Sequence, residues 1–212
     1  RLSGMGSDVG QNPELVAIYT TYVKRHVHIP VIPKMTPNIT NMAQPALSAY
    51  IGGADAISAI NTIKSVTMDA GAEVAGQRTI SGYSGRAVRP IALRFVAELA
   101  QNPALKGMHI SAMGGVESWQ DALEFLLLGA GSIQVTTAVM QYGYRIIDDL
   151  KAGLNMYLAE KGFNSVSEVI GIGLDSISET TDVLERDTII YPKFNLKKCI
   201  GCGRCMISCA DG

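Results

Sequence analysis

The sequence predicts an α/β fold in which parallel strands are joined by helical crossovers. Three observations predict it. Four short apolar runs, Ile29–Met35, Ala54–Ile60, His109–Met113 and Ser132–Thr137, alternate with segments whose apolar residues recur at helical spacing. The runs read as apolar on both faces, as strands covered on both sides of a parallel sheet require. Gly- and Ser-rich stretches follow the strands, and the loops at the C-terminal ends of parallel strands are where such folds bind ligands.

The elements follow in chain order. Asn12 is a good N-cap with Pro13 at the first helical position, and Leu15, Val16, Tyr19 and Val23 then recur on one helical face. The strand Ile29–Met35 leads to a second helix over about 41–50 that stops at Gly52-Gly53. After the strand Ala54–Ile60, a third helix follows Arg89-Pro90 and carries Ile91, Leu93, Val96 and Leu99. After His109–Met113, a fourth starts at Ser118, with Asp121 three residues on, and ends at Gly129. After Ser132–Thr137, a fifth carries Ile146, Ile147, Leu150, Leu154 and Leu158 and ends near Gly162. Ser165 with Glu168 reads as a capping box for a short sixth helix.

The first and last strand-to-strand spacings match one βα unit, and the middle one is about twice as long. The excess falls at 62–88, where Gly71, Gly76, Ser81, Gly82, Ser84 and Gly85 cluster. Four βα units are half of a closed (β/α)8 barrel, which takes about 250 residues, against about 160 of βα character here. A small open sheet or the second half of a barrel both fit that count. From Gly173 to about 197 the chain turns polar and reads as a linker, with a short strand at Thr188–Tyr191 before Pro192. Residues 198–212 read as the start of a second domain that the chain does not finish.

Composition narrows the function. Hydrophobic residues make up 47% and charged residues 17%, enough to fill a core. A net charge of −1 supplies no pull on nucleic-acid phosphates. No apolar run reaches the roughly 18 residues of a membrane span, and the first residues contain no secretory apolar region. The chain begins at Arg1 without an initiator Met, so the true start is expected upstream. All four cysteines lie at 199, 202, 205 and 209. A secreted disulfide scaffold would spread them through the fold, so a reducing, cytoplasmic compartment is expected.

Cys199, Cys202, Cys205 and Cys209 are spaced C-x2-C-x2-C-x3-C, with Gly201 and Gly203 allowing tight bends between thiolates. This is the spacing of a 4Fe–4S site, in which the fourth cysteine ligates the other cluster of a pair. Zinc prefers paired C-x2-C units separated by a long gap. Ala210 stands where simple ferredoxins have Pro, and no second motif follows.

Lys34 ends the first strand, where a fixed cation can stabilise negative charge on a reduced ring; a snorkelling surface Lys is the alternative. Asn61-Thr62 at the next strand end can read the carbonyl and N–H edge of a heterocycle, or simply start a turn. Ser81-Gly82-Tyr83-Ser84-Gly85, Met113-Gly114-Gly115-Val116 and Val135-Thr136-Thr137 are candidate phosphate cradles, since glycine lets backbone N–H groups approach closely. Each glycine pair taken alone also reads as a cap or turn. No G-x-G-x-x-G or P-loop occurs. His26, His28 and His109 lack ligand spacing and read as structural. Asp148-Asp149 reads as a solvated helix face, and Trp119 and Phe125 as packing.

Together these motifs resemble the flavin barrel and ferredoxin region of the dihydropyrimidine dehydrogenases. The likeness rests on Gly10-Gln11-Asn12-Pro13-Glu14-Leu15, Pro33-Lys34-Met35-Thr36-Pro37-Asn38, Gly52-Gly53-Ala54-Asp55, Ile60-Asn61-Thr62, the stretch from Ser84 to Leu93, Gly114-Gly115, Gln134-Val135 and the cysteine motif. It covers nearly the whole chain in order, leaves 63–80 unmatched, and is strongest for the bacterial NAD-dependent type. Dihydroorotate dehydrogenases share the barrel but usually lack an appended ferredoxin motif.

The resemblance implies an architecture: the C-terminal half of a TIM (β/α)8 barrel at 1–172 that binds FMN, a linker at 173–197, and the start of a ferredoxin-like 4Fe–4S domain at 198–212. It implies that reduced FMN gives a hydride to C6 of uracil or thymine while a general acid protonates C5. Electrons reach FMN from NAD(H) through 4Fe–4S clusters and a separate NAD- and FAD-binding partner subunit, in a hetero-oligomer. By this resemblance Lys34, Gly85, Gly114, Gly115, Thr136 and Thr137 bind FMN, and Asn61 and Thr62 bind the pyrimidine. The four cysteines ligate iron. The general-acid cysteine, in an Asn-x-Ser-Cys-Pro motif, is expected upstream of Arg1, so no catalytic residue is assigned within the chain. The chain then reads as a fragment of the catalytic subunit, inactive alone, with unpaired strand edges prone to aggregation. Three alternatives stand beside it: a dihydroorotate dehydrogenase-like flavoprotein, an iron–sulfur electron-transfer module on an inert barrel, and a truncation that binds neither cofactor.

Overall fold

Asn12 starts the first long helix as its side chain dictates: Oδ1 accepts from the Leu15 N–H at 3.1 Å, and Pro13 occupies N1. A computed structural model describes residues 7–66, 80–178 and 193–207. The predicted strand Thr188–Tyr191, Gly71, Gly76 and Cys209 lie outside the described residues.

Contacts divide the chain into two units, Arg1–Ile177 and Ser178–Gly212. In the first, the helices are α1 (Ser7–Gly10), α2 (Pro13–His26), α3 (Ala43–Ile51), α4 (Arg89–Gln101), α5 (Trp119–Leu127), α6 (Thr137–Tyr142) and α7 (Ile146–Lys161). The strands are β1 (Ala56–Ala59), β2 (Ile63–Ser65), β3 (Ser81–Tyr83), β4 (His109–Met113) and β5 (Ser132–Gln134).

The main sheet is parallel, in the order β1-β4-β5. The predicted strand Ile29–Met35 lies beside β1 but is reduced to a bridge, Lys34 to Ser58. Val31 and Pro33 carbonyls accept from Asp55 and Ser58, and the Met35 N–H donates to Ser58 at 2.8 Å. Pro30 and Pro33 have no N–H, so the ladder on this segment stays incomplete. Each later strand is added on the same side, with no reversal of order. That is how a barrel wall grows, whereas a doubly wound sheet reverses at its switch point.

Only one face of the sheet is apolar. Ile57, Ala59, Ile110 and Ala112 are buried in one core with Ala46 and Ala49 of α3 and Phe95, Val96 and Leu99 of α4. The opposite face carries Lys34, Ser58, Ser111 and Ser132 in one register row. This corrects the expectation of strands apolar on both faces: the hydroxyls are small enough to hide in a short run of mean apolar character.

The excess between the second and third predicted strands is flanked by an antiparallel pair, β2 with β3, which the loop reading missed. The last predicted strand stops at Gln134 because the Thr136 carbonyl already accepts from Met140 to open α6. The predicted capping box at Ser165 does not form. Val166–Glu168 is a single 3-10 turn in which the Glu168 N–H bonds the Ser165 carbonyl, leaving no donor for the Ser165 hydroxyl. Glu168 Oε1 accepts from Asn164 instead.

The edge segment is tied to α2 by Asp55. Its carboxylate takes Lys24 Nζ at 2.8 Å and the Val31 N–H at 2.6 Å. The hydrogen bond from Lys24, then that from Val31, holds the Asp55 carboxyl below its ordinary value of 3.8. A carboxyl whose folded pKa is depressed contributes stability that is present above its ordinary pKa and lost as pH falls through the folded value. Asp55→Asn is therefore expected to lower the urea midpoint at pH 7, and the gap from wild type should close as pH drops below 3.8. A gap unchanged from pH 7 to pH 3 would contradict this.

In the second unit, the described residues form a turn at 196–198 and a one-turn helix α8 (Arg204–Ile207). Among the described residues no helix is long and apolar enough to cross a membrane.

Candidate functional site

The C-terminal ends of the parallel strands converge on one open cleft with a cavity of about 140 Å³. Lys34, Asn61, Thr62, Gly85, Gly114, Gly115, Thr136 and Thr137 all line it. These eight residues come from five stretches of chain, each following a strand or opening a helix.

Lys34 sits at the end of the edge segment beside β1, and its Nζ makes no ion pair among the described residues. Asn61 and Thr62 follow β1, and Asn61 Oδ1 accepts from the Thr62 N–H at 2.8 Å. Asn38 braces this corner: its Nδ2 donates to the Thr62 carbonyl at 3.1 Å and its Oδ1 accepts from Lys64 at 2.7 Å. β3 crosses close over Thr62 at Gly82, where a Cβ would collide with the Thr62 side chain. The sequence offered Asn38 only as part of a longer motif, with no role.

Gly114 and Gly115 follow β4 with φ of +133° and +74°. Gly115 lies against the Gly85 carbonyl, which joins two of the expected phosphate cradles. Beyond them Asp121 takes the Glu117 and Ser118 N–H groups at 2.9 and 2.8 Å and pairs with Arg89. Thr137 Oγ1 donates to Ser84 Oγ at 3.2 Å, tying the start of α6 to the loop after β3. Ile60, Val88, Met113, Val116 and Val135 supply apolar walls. Sequence reasoning missed Glu117 and Gln134 as lining residues. Gln134 was detectable as the last residue of a strand whose neighbours Val135-Thr136-Thr137 had been singled out.

The other expectations resolve simply. His26 bonds the Tyr22 carbonyl and stacks on its ring, and His109 Nε2 lies 3.0 Å from Ser132 Oγ. Phe125 is fully buried, Trp119 packs on Gly153, and Asp148 and Asp149 are exposed. Cys199, Cys202 and Cys205 are free and exposed. Among the described residues no three metal-ligating side chains gather to hold a metal.

The dihydroorotate dehydrogenase family model matches residues 3–158, which spans the sheet and every lining residue of the cleft. The chain belongs to the dihydroorotate dehydrogenase family. It is 53% identical to the NAD-dependent dihydropyrimidine dehydrogenase subunit PreA of Escherichia coli K12, over 98% of this chain and 52% of the relative. It is 41% identical to the catalytic subunit of dihydroorotate dehydrogenase B (NAD(+)) of Thermococcus kodakarensis, over 81% and 56%. It is 37% identical to the chloroplastic dihydropyrimidine dehydrogenase (NADP(+)) of Arabidopsis thaliana, over 86% and 45%. The chain thus spans about half the length of these curated relatives.

The match to the bacterial subunit reaches beyond residue 158, whereas the match to the dihydroorotate enzyme covers less of the chain.

Proposed function

We propose that the cleft binds FMN and that the whole protein reduces the 5,6 double bond of uracil or thymine. Electrons come from NADH by way of a separate NAD- and FAD-binding subunit and iron–sulfur clusters, in a hetero-oligomer of the cytoplasm. The observation that carries this reading is the convergence of Lys34, the glycine pair Gly114-Gly115, Gly85, Thr136 and Thr137 on a single cleft. The donor set fits FMN. Glycine backbone and threonine hydroxyls suit a phosphate, apolar walls suit a planar ring, and Lys34 suits a ring that gains negative charge.

When bound, reduced FMN supplies a hydride for C6 of the pyrimidine. Lys34 holds a positive charge at the ring. Asn61 keeps its Nδ2 available because Oδ1 is engaged by Thr62, and with Thr62 it orients the pyrimidine edge. Asn38 holds Thr62 at the strand end. The apolar walls at Ile60, Val88, Met113, Val116 and Val135 would cover part of a bound ring. Cys199, Cys202, Cys205 and Cys209 have the thiol chemistry for a 4Fe–4S cluster, and the three described ones are free and not gathered around one point.

The test is FMN binding by the full-length protein, read by flavin fluorescence. Lys34→Met keeps the stem and removes the charge. It is expected to weaken FMN binding or slow pyrimidine reduction at least tenfold, which corresponds to about 1.4 kcal/mol. A full-length protein that binds no FMN would overturn the reading. Bound FMN with dihydroorotate oxidised and uracil untouched would select the dihydroorotate reading instead.

A further inference from the structure

A row of hydroxyls crosses the polar face of the sheet. Ser58, Ser111 and Ser132 stand in register on β1, β4 and β5, and the first two are buried. Gln134, two residues along β5 from Ser132, turns back over the row. Its Nε2 donates to Ser58 Oγ at 2.9 Å and to Ser111 Oγ at 2.8 Å. Ser132 donates to Ser111 at 2.9 Å, and His109 Nε2 lies 3.0 Å from Ser132 Oγ. His109 is in turn seated on the backbone of Gly131, where a Cβ would meet its ring.

An amide nitrogen carries two protons. Both protons of Gln134 are engaged by serines, so the side chain has only Oε1 left to offer. Oε1 has no hydrogen-bond partner among the described residues, and Gln134 lines the cleft. A half-turn of the amide would require the Ser58 and Ser111 hydroxyls, which accept here, to turn and donate to Oε1 instead. Asn61 is fixed in the opposite sense: its Oδ1 is engaged by Thr62, which leaves Nδ2 as a donor. In this arrangement the cleft presents an acceptor, Gln134 Oε1, and a donor, Asn61 Nδ2, the latter fixed by a backbone N–H.

We propose that Gln134 is a specificity-determining residue whose Oε1 accepts the N–H of a cyclic imide, with Ser58 and Ser111 as the positioning residues that hold its amide. The inference rests on the cleft being a flavin and pyrimidine site. An imide N–H flanked by carbonyls occurs in both the isoalloxazine ring and the pyrimidine base, so the test has two arms.

In the first arm, FMN and its N3-methyl derivative are titrated into the flavin-free full-length protein. In the second, uracil and 3-methyluracil are titrated into the flavin-loaded protein and read by the flavin absorbance change. Wild type is expected to bind the parent at least tenfold more tightly than the methylated compound in one arm, and that arm identifies which ring donates. Gln134→Leu should collapse that ratio several-fold, whereas Gln134→Glu, which still accepts, should keep most of it. The double variant Ser58→Ala with Ser111→Ala leaves the amide in place but no longer held. It should reduce the ratio by an intermediate factor, and it serves as the test if Gln134→Leu does not fold. Ratios unchanged by both variants in both arms, with FMN still bound, would overturn the inference and leave the flavin reading standing. A wild-type protein that binds no FMN would overturn both.

Discussion

Asp121→Ala is expected to destabilise the first unit by about 3–5 kcal/mol, the cost of stranding a charge whose buried partner has been removed. Asp121 is 6% exposed and serves three groups at once. Its Oδ2 takes the N–H groups of Glu117 and Ser118, and its Oδ1 pairs with Arg89 at the start of α4. Its own N–H meets the Ser118 hydroxyl at 3.3 Å, which closes the capping box. Alanine would leave two backbone donors without their acceptor and Arg89 with only Glu124, whose carboxylate lies 3.4 Å from its Nε. Asp121→Asn keeps an acceptor for the loop but not the charge, so its cost should be clearly smaller. Urea unfolding of the full-length protein, followed by circular dichroism, measures both. A cost below 1 kcal/mol for alanine would mean that Glu124 alone satisfies Arg89. Glu117, whose N–H this carboxylate takes, lines the cleft next to residues 114–116, so FMN affinity should fall with stability.

The same residue shows what the sequence makes legible. Ser118 and Asp121 announce a helix start by their spacing alone, and the helix starts there. Asn12-Pro13 works the same way, because a cap is a contact between near neighbours. The ion pair to Arg89 spans thirty-two positions and has no local signature. The cleft residues were legible because strand ends are local features and the strand order brings them together. The polar face was not. Ser58 and Ser111 each interrupt a short apolar run by one residue and Ser132 opens another, and only the register shows that they align. Ser165 shows the limit of local motifs: the spacing matches a capping box, yet a single 3-10 turn spends the donor on the backbone carbonyl. Gln134 was visible as a strand residue, but the sense of its amide depends on serines from two other strands.

Gly115→Ala is expected to damage the cleft. Two costs coincide there. Its φ of +74° lies where a Cβ costs about 1–2 kcal/mol. The added methyl would also stand 2.8 Å from the Gly85 carbonyl oxygen and 2.9 Å from Arg89 Cβ. One of these is backbone and cannot swing aside, so overpacking adds about 1–3 kcal/mol. The contact is between two loops that both line the cleft, so relief of the clash must open the space between Gly85 and Gly115. Gly107 separates the two costs. It has a similar φ of +86° but nothing within 4 Å of a Cβ, and it lies just before β4, at the opposite end of the strand from the cleft. Gly107→Ala should therefore lose only the conformational part of the stability and keep FMN affinity. Gly115→Ala should lose stability by more than Gly107→Ala and weaken FMN at least tenfold. Equal stability losses for the two, with FMN affinity unchanged in Gly115→Ala, would show that the loops at 85 and 115 can part without consequence and that the cleft does not depend on their close approach.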